Sequence, residues 1–160
     1  MLNFVKVNRE KVDLIEYCIK QRMNYPDLKV HVGCDSIVVG GNSWFVTVIA
    51  FRYGKNGAHF IFNKTRMSPF RMDNGKPDIF RRLLQETKFT MDLAEFLTSN
   101  SIFNKTELIL EFDFNNMKET RSREHVAIAQ GWASGFGYTS YLKSDMQIAC
   151  KAANQICQTC

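Results

Sequence analysis

Apolar and polar residues alternate with a period of two along Leu28-Lys-Val-His-Val-Gly-Cys-Asp35. Leu28, Val30, Val32 and Cys34 fall on one side; Lys29, His31, Gly33 and Asp35 fall on the other. That is the pattern of a strand, and the reading ends it on Asp35, with Gly40-Gly41-Asn42 turning the chain back. Ser43 to Tyr53 is a second strand, with Trp44, Val46, Val48 and Ala50 on one face and Phe45, Thr47, Ile49, Phe51 and Tyr53 on the other. Gly54-Lys-Asn-Gly57 reads as a turn and Ala58 to Lys64 as a third strand, so the three form an antiparallel meander. Ahead of them, Asn8 can cap a helix running to about Met23, with Val12, Ile15, Ile19 and Met23 near one stripe. Pro77 suits the start of a long helix that reaches about Ser99. Leu108 to Asp113 is a fourth strand, Arg121 to Ser134 a helix with Val126, Ile128 and Ala129 inside, and Tyr138 to Leu142 a fifth strand. Ser144 caps a last helix that opens with Asp145 and continues through Ile148, Ala152 and Ile156. The element order is α-βββ-α-β-α-β-α.

A chain of 160 residues, 45% hydrophobic and 23% charged, suits one domain with a proper core. No apolar run approaches the roughly 20 residues that cross a bilayer. Met1 to Asn8 lacks the regions of a signal peptide. The expectation is an intracellular, cytoplasmic protein. The net charge of +5 permits a nucleic-acid ligand without requiring one. Five cysteines, an odd number irregularly spaced, imply no disulfide framework, and Cys157-Gln-Thr-Cys160 lacks the second ligand pair of a structural zinc site. Thr65 to Lys76 reads as an irregular, mobile loop; its Arg66, Arg71 and Lys76 serve solvation or phosphate contact equally well.

Four acids can meet. Asp35 and Asp113 each end a strand; if those strands are parallel neighbours, both acids project at one sheet edge, where ligands of such sheets gather. On the long helix Ile79, Glu86, Thr90, Leu93 and Leu97 share a stripe flanking the apolar face, which turns Glu86 toward the sheet, whereas Asp92 and Glu95 fall elsewhere. Asp145 opens the last helix, where an acid also favours the macrodipole. Each acid alone is weak; the order Asp, Glu, Asp, Asp on strand, helix, strand and helix is more specific.

That order resembles the ribonuclease H fold with its four-carboxylate, two-metal site. Gly33-Cys-Asp-Ser36, Thr47-Val48-Ile49, Arg82-Leu-Leu-Gln-Glu86, Phe112-Asp113, Gly131-Trp-Ala-Ser-Gly-Phe-Gly137 and Lys143-Ser-Asp145 are similar to the YkuK family, ribonuclease H-like proteins of bacteria and phages predicted to be nucleases. The resemblance covers residues 28–157 and leaves 1–26 as an N-terminal helical extension of a single domain, 1–160. It implies an α/β fold with a five-stranded mixed sheet in the order 3-2-1-4-5, flanked by helices and joined by the extra N-terminal helix. It implies Asp35, Glu86, Asp113 and Asp145 as ligands of two Mg²⁺ or Mn²⁺ ions, hard cations suited to oxygen donors, Asp35 bridging the pair. The implied activity is hydrolysis of a phosphodiester in RNA, DNA or a hybrid.

The remaining candidates read more plainly. Glu111 shares a side of its strand with Asp113 and is an alternative ligand. His31 and His59 sit in strands; His125 could carry a proton but reads as a core residue. Gly131, Gly135 and Gly137 are no phosphate loop. Lys118, Arg121, Arg123, Lys143 and Lys151 flank the edge in sequence, as phosphate contacts or as solvated charges. Two other readings stand beside the nuclease: a catalytically silent module that binds nucleic acid or a protein partner, and a junction resolvase, which would be a dimer. The substrate and the oligomeric state are not written in the sequence.

Overall fold

The computed structural model describes residues 3–55, 57–114, 120–142 and 146–160, the side chains of 120–123 excepted. Lys118, Lys143, Asp145 and the expected helix cap Ser144, and the side chains of Arg121 and Arg123, therefore lie outside the described residues. The elements are β1 (Val5–Lys6), α1 (Leu14–Asn24), β2 (Lys29–Val39), β3 (Asn42–Arg52), β4 (Ala58–Met67), α2 (Ile79–Ser99), a 3₁₀ turn (Lys105–Glu107), β5 (Leu108–Phe112), α3 (Thr120–Gly135), β6 (Thr139–Leu142) and α4 (Ala149–Cys157). They build one mixed sheet of six strands in the order β1-β4-β3-β2-β5-β6. The expected five strands are corrected to six, because two residues of the N-terminal segment pair with the outer edge of β4, Val5 opposite Phe62 and Lys6 opposite Ile61.

The meander is held by long ladders. β2 and β3 pair over eleven positions, from Lys29 with Arg52 to Val39 with Asn42. Their two-residue turn is Gly40-Gly41, with φ of 57° and 72°. A tight hairpin needs positive φ at both central positions, so glycine is the residue that fits. The strand therefore does not stop at Asp35 but runs on to Val39. What stops earlier is its other flank: the parallel β2–β5 ladder ends at Gly33 opposite Glu111.

Two apolar clusters fill the layers. On one face Val30, Val32, Ile49 and Phe51 pack with Met91, Leu93 and Leu97 of α2 and with α1 and α3. On the other Val46, Val48, Ala50 and Phe62 meet α4. β3 is thus buried on both sides. α4 presents Ala149, Cys150, Ala152 and Ala153, small residues that let it lie close. At Gly33 the approach is closest, since a Cβ there would stand 2.8 Å from the Cys150 Sγ.

Several boundaries differ from the sequence reading. α1 is capped by Asp13, whose side chain accepts from the Glu16 N–H at 2.9 Å. Asn8 instead accepts from the Glu10 N–H at 3.1 Å in a small N-terminal hairpin, the local bond that makes asparagine a turn residue. The later start rotates the helix: Leu14 and Cys18 are buried, while Ile15, Ile19 and Met23 are exposed. α2 begins after Pro77, with Asp78 as its cap. In α3 His125, Ala129 and Ala133 are buried and Ile128 is exposed. Residues Thr65–Met67 extend β4, and the loop beyond folds on itself, with Arg71 bridging Pro77 and the Asp78 N–H bonded to the Phe70 carbonyl at 2.9 Å.

Candidate active site

Asp35 and Asp113 reach one edge because of register. With Gly33 opposite Glu111 in the parallel ladder, two further residues along each strand set Asp35 level with Asp113. Asp113 follows the last residue of β5. One of its oxygens, Oδ1, is buried without a hydrogen-bond partner among the described residues. Asp35 is better held: it accepts from the Ser36 N–H at 2.8 Å and from the Asn154 amide of α4 at 2.9 Å.

Glu86 comes to the same edge from α2. Its stripe is as the helical period implies, with Glu86, Thr90, Leu93 and Leu97 all buried and Asp92 outside, paired with Lys88. Ile79 is the exception at 41% exposed, since it lies in the first turn beyond the sheet. The Ser36 hydroxyl donates to the Glu86 carboxyl at 2.5 Å, so adjacent residues of β2 tie α4 and α2 together: Asp35 to Asn154, and Ser36 to Glu86.

The electrostatics follow from crowding and burial. Desolvation chiefly raises the Glu86 carboxyl to about 8; Asp35 and Asp113 push the same way, while the Ser36 bond and Arg82 oppose it. Asp35 is raised for the same leading reason, with repulsion from Asp113 added and the Ser36 N–H, Asn154 and Arg82 offsetting part of it. The three acids thus feel one another. Among the described residues, however, no three His, Cys, Asp or Glu side chains gather closely enough to share an ion. The chemistry of the donor set fits a hard cation, namely carboxylate oxygens, one of them orphaned in the interior. Asp145 lies outside the described residues, and α4 begins at Ala149 rather than at Asp145.

Glu111 has another task. It is fully buried, and its two oxygens accept from the Ile148 N–H at 2.9 and 3.0 Å, from the Cys150 N–H at 2.9 Å and from His31 Nδ1 at 2.7 Å. It caps the start of α4 from a neighbouring strand, the place expected for Ser144 and Asp145. Anions favour a helix N-terminus, and this one leaves Glu111 no free oxygen for a cation. His125 packs edge-on against Phe80 and Phe114, and burial lowers its pKa, as befits a neutral core residue. Cys157, the last residue of α4, is buried, and all five cysteines are free.

Sequence reasoning missed Asn154, which no local motif marks, and left the partners of Ser36 and Arg82 unassigned. Arg82 stands one helical turn before Glu86 on α2, and its Nε is buried without a hydrogen-bond partner among the described residues.

A mixed sheet with acids from β2, α2 and the end of β5 at one edge defines an α/β protein of ribonuclease H-like architecture. The chain belongs to the ribonuclease H-like family, whose model matches residues 10–158. No curated protein matches the chain. No helix among the described residues is long and apolar enough to cross a membrane.

Proposed function

We propose that the protein is a metal-dependent nuclease that hydrolyses phosphodiester bonds at the Asp35 edge. The observation that carries this reading is the convergence of Asp35, Glu86 and Asp113 from three elements, with the Asp113 Oδ1 buried and unpaired among the described residues. Asp35, Glu86 and Asp113, joined by Asp145, would hold two Mg²⁺ or Mn²⁺ ions. Bound there, such ions supply a water activated as nucleophile and charge stabilisation for the departing oxygen. The chain's own part is positioning. Asn154 and the Ser36 N–H fix the Asp35 carboxylate, the Ser36 hydroxyl fixes Glu86, and the Arg82 cation offsets negative charge beside both acids. A nucleic acid is the substrate class that the family and the basic net charge favour.

A second reading is favoured by one specific observation: although the three acids come to one edge, no three such side chains among the described residues gather closely enough to share an ion. In it the same edge belongs to a catalytically silent module that binds nucleic acid or a protein partner. Cleavage of labelled single-stranded RNA, single-stranded DNA, duplex and hybrid, with Mn²⁺ or with EDTA, separates the two. The nuclease reading expects cutting with Mn²⁺ alone and its loss in Asp35→Asn. No cutting of any substrate, together with unchanged nucleic-acid binding by Asp35→Asn, would select the silent module.

A further inference from the structure

Beside the acids, where the end of the β2–β3 hairpin meets the loop that precedes α2, lies a cavity of about 270 Å³. Val38, Phe70 and Ile79 are among its apolar walls, and Ser43, Asp78 and Arg82 among its polar ones. Its size falls just below the range of cavities that take whole drug-sized ligands, so it suits one flat ring system. Its loop wall is shaped rather than slack: the Phe70 ring packs edge-on against Phe45, the Arg71 guanidinium bonds the Gly75 carbonyl at 2.8 Å, and the Asp78 N–H bonds the Phe70 carbonyl.

Two observations point to a ligand with acceptors. Ser43 is fully buried and its hydroxyl has no partner among the described residues; the Arg82 Nε is likewise buried and unpaired. Buried polar groups are nearly always paired, and the two residues that carry these atoms both line the cavity. The cavity also shares its walls with the acid edge. Val38 and Ser36 lie two apart on one face of β2, and Ser36 bonds Glu86. Arg82 lines the cavity and stands one turn before Glu86 on α2. Arg82 therefore links the cavity to the carboxylate edge, since it also offsets the charge of Asp35 and Glu86.

We infer that this cavity is a nucleobase pocket: it holds one unstacked base of a single-stranded nucleic acid, with Arg82 between that base and the phosphate at the carboxylate edge. The proposal rests on the nuclease reading for what the neighbouring phosphate undergoes, but base capture itself needs no cation. A base inside a duplex is stacked on both sides and cannot enter a closed pocket without being flipped out. The substrate class is accordingly single-stranded nucleic acid, or a strand end, rather than intact duplex.

The test is amide chemical-shift perturbation of the full chain in EDTA, titrated with a nucleoside 5′-monophosphate, with ribose 5-phosphate and with inorganic phosphate. Expected are shifts centred on Val38, Phe70 and Ile79 with the mononucleotide, and affinity at least about tenfold weaker for ribose 5-phosphate, a gap of ~1.4 kcal/mol. Val38→Trp, at a half-exposed position, should fill the pocket and abolish these shifts; Phe70→Ala, which removes a wall, should weaken them. Equal binding of ribose 5-phosphate, shifts centred elsewhere, no shifts at millimolar nucleotide, or unchanged shifts in Val38→Trp would each overturn the proposal. Failure here is distinct from failure of the nuclease reading. Cutting without these shifts removes the pocket and keeps the nuclease; shifts without cutting do the reverse.

Discussion

Glu86→Gln is the substitution whose consequence the structure specifies most fully. Glu86 is 6% exposed, and its one hydrogen-bond donor among the described residues is the Ser36 hydroxyl. Its carboxyl is raised from 4.5 to about 8. Because the folded value lies above the unfolded one, the folded chain binds the extra proton between these limits, and stability falls as pH rises through that window. Each unit corresponds to ~1.36 kcal/mol, so holding Glu86 ionised costs on the order of 5 kcal/mol without a cation. Glutamine keeps an oxygen for Ser36 and carries no charge. In EDTA, urea unfolding should therefore find Glu86→Gln more stable than wild type by ~2–4 kcal/mol at pH 9, and the two within ~1 kcal/mol at pH 5. Mn²⁺ should stabilise wild type at pH 9 and leave the variant nearly unmoved. A difference that does not change between pH 5 and pH 9 would refute the claim that Glu86 is buried as a costly carboxyl. A variant stabilised by Mn²⁺ as strongly as wild type would refute its role toward the cation.

Three other outcomes follow from the packing. Glu111→Ala removes the acceptor of the Ile148 and Cys150 N–H groups and of His31; breaking such a buried pair costs about 3–5 kcal/mol, to be read by urea unfolding, with greater amide exchange at the start of α4. Gly33→Ala places a Cβ 2.8 Å from the Cys150 Sγ and should cost ~1–3 kcal/mol; Cys150→Ala in the same chain should recover part of it, a coupling measured by a double-mutant cycle. Leu14→Ala should cost ~2–5 kcal/mol while Ile19→Lys stays within ~0.5 kcal/mol, and the opposite ranking by thermal unfolding would show that α1 docks through its other stripe.

The meander was legible because its signals are local: alternation along the first half of β2, an apolar run in β3 buried on both faces, and the glycine turns that separate the strands. Glu86 was legible for the same kind of reason: a stripe on a 21-residue helix leaves little choice of face. The face of α1 was not. Val12, Ile15, Ile19 and Met23 make as good a stripe as Leu14 and Cys18, and the choice is made by the residues ahead of the helix, which Asn8 and Glu10 bend into a hairpin that no helical period reveals. The start of α4 was hidden for a related reason. Its cap is nonlocal, a glutamate 37 residues away from the Ile148 N–H it holds, so the nearby Ser144 and Asp145 drew the assignment. The end of β2 was misjudged because a charged residue looked like a terminus, whereas Asp35 sits inside the hairpin ladder opposite Val46.

Glu86 and Glu111 make the strongest internal comparison. Both are buried glutamates, at 6% and 0% exposure, on elements that adjoin β2. Three groups donate to Glu111, two of them at a helix N-terminus; among the described residues one hydroxyl donates to Glu86, while Asp35 and Asp113 add repulsion. The fold therefore satisfies a buried carboxylate with its own N–H groups at one place and withholds them at the next. The difference cannot be assigned to a weak scaffold, since the eleven-pair β2–β3 ladder and α4 hold the Asp35 edge firmly. Negative charge kept short of donors in a rigid setting is what a cation relieves on binding, and it costs stability when none is bound. The opposite deficit lies nearby, where the Arg82 Nε a helical turn from Glu86 and the Ser43 hydroxyl on β3 are buried without acceptors among the described residues. On the proposed reading, acceptor-rich, negatively charged nucleic acid would supply acceptors to one and, with its accompanying cations, charge balance to the other, so the two deficits would have one common remedy.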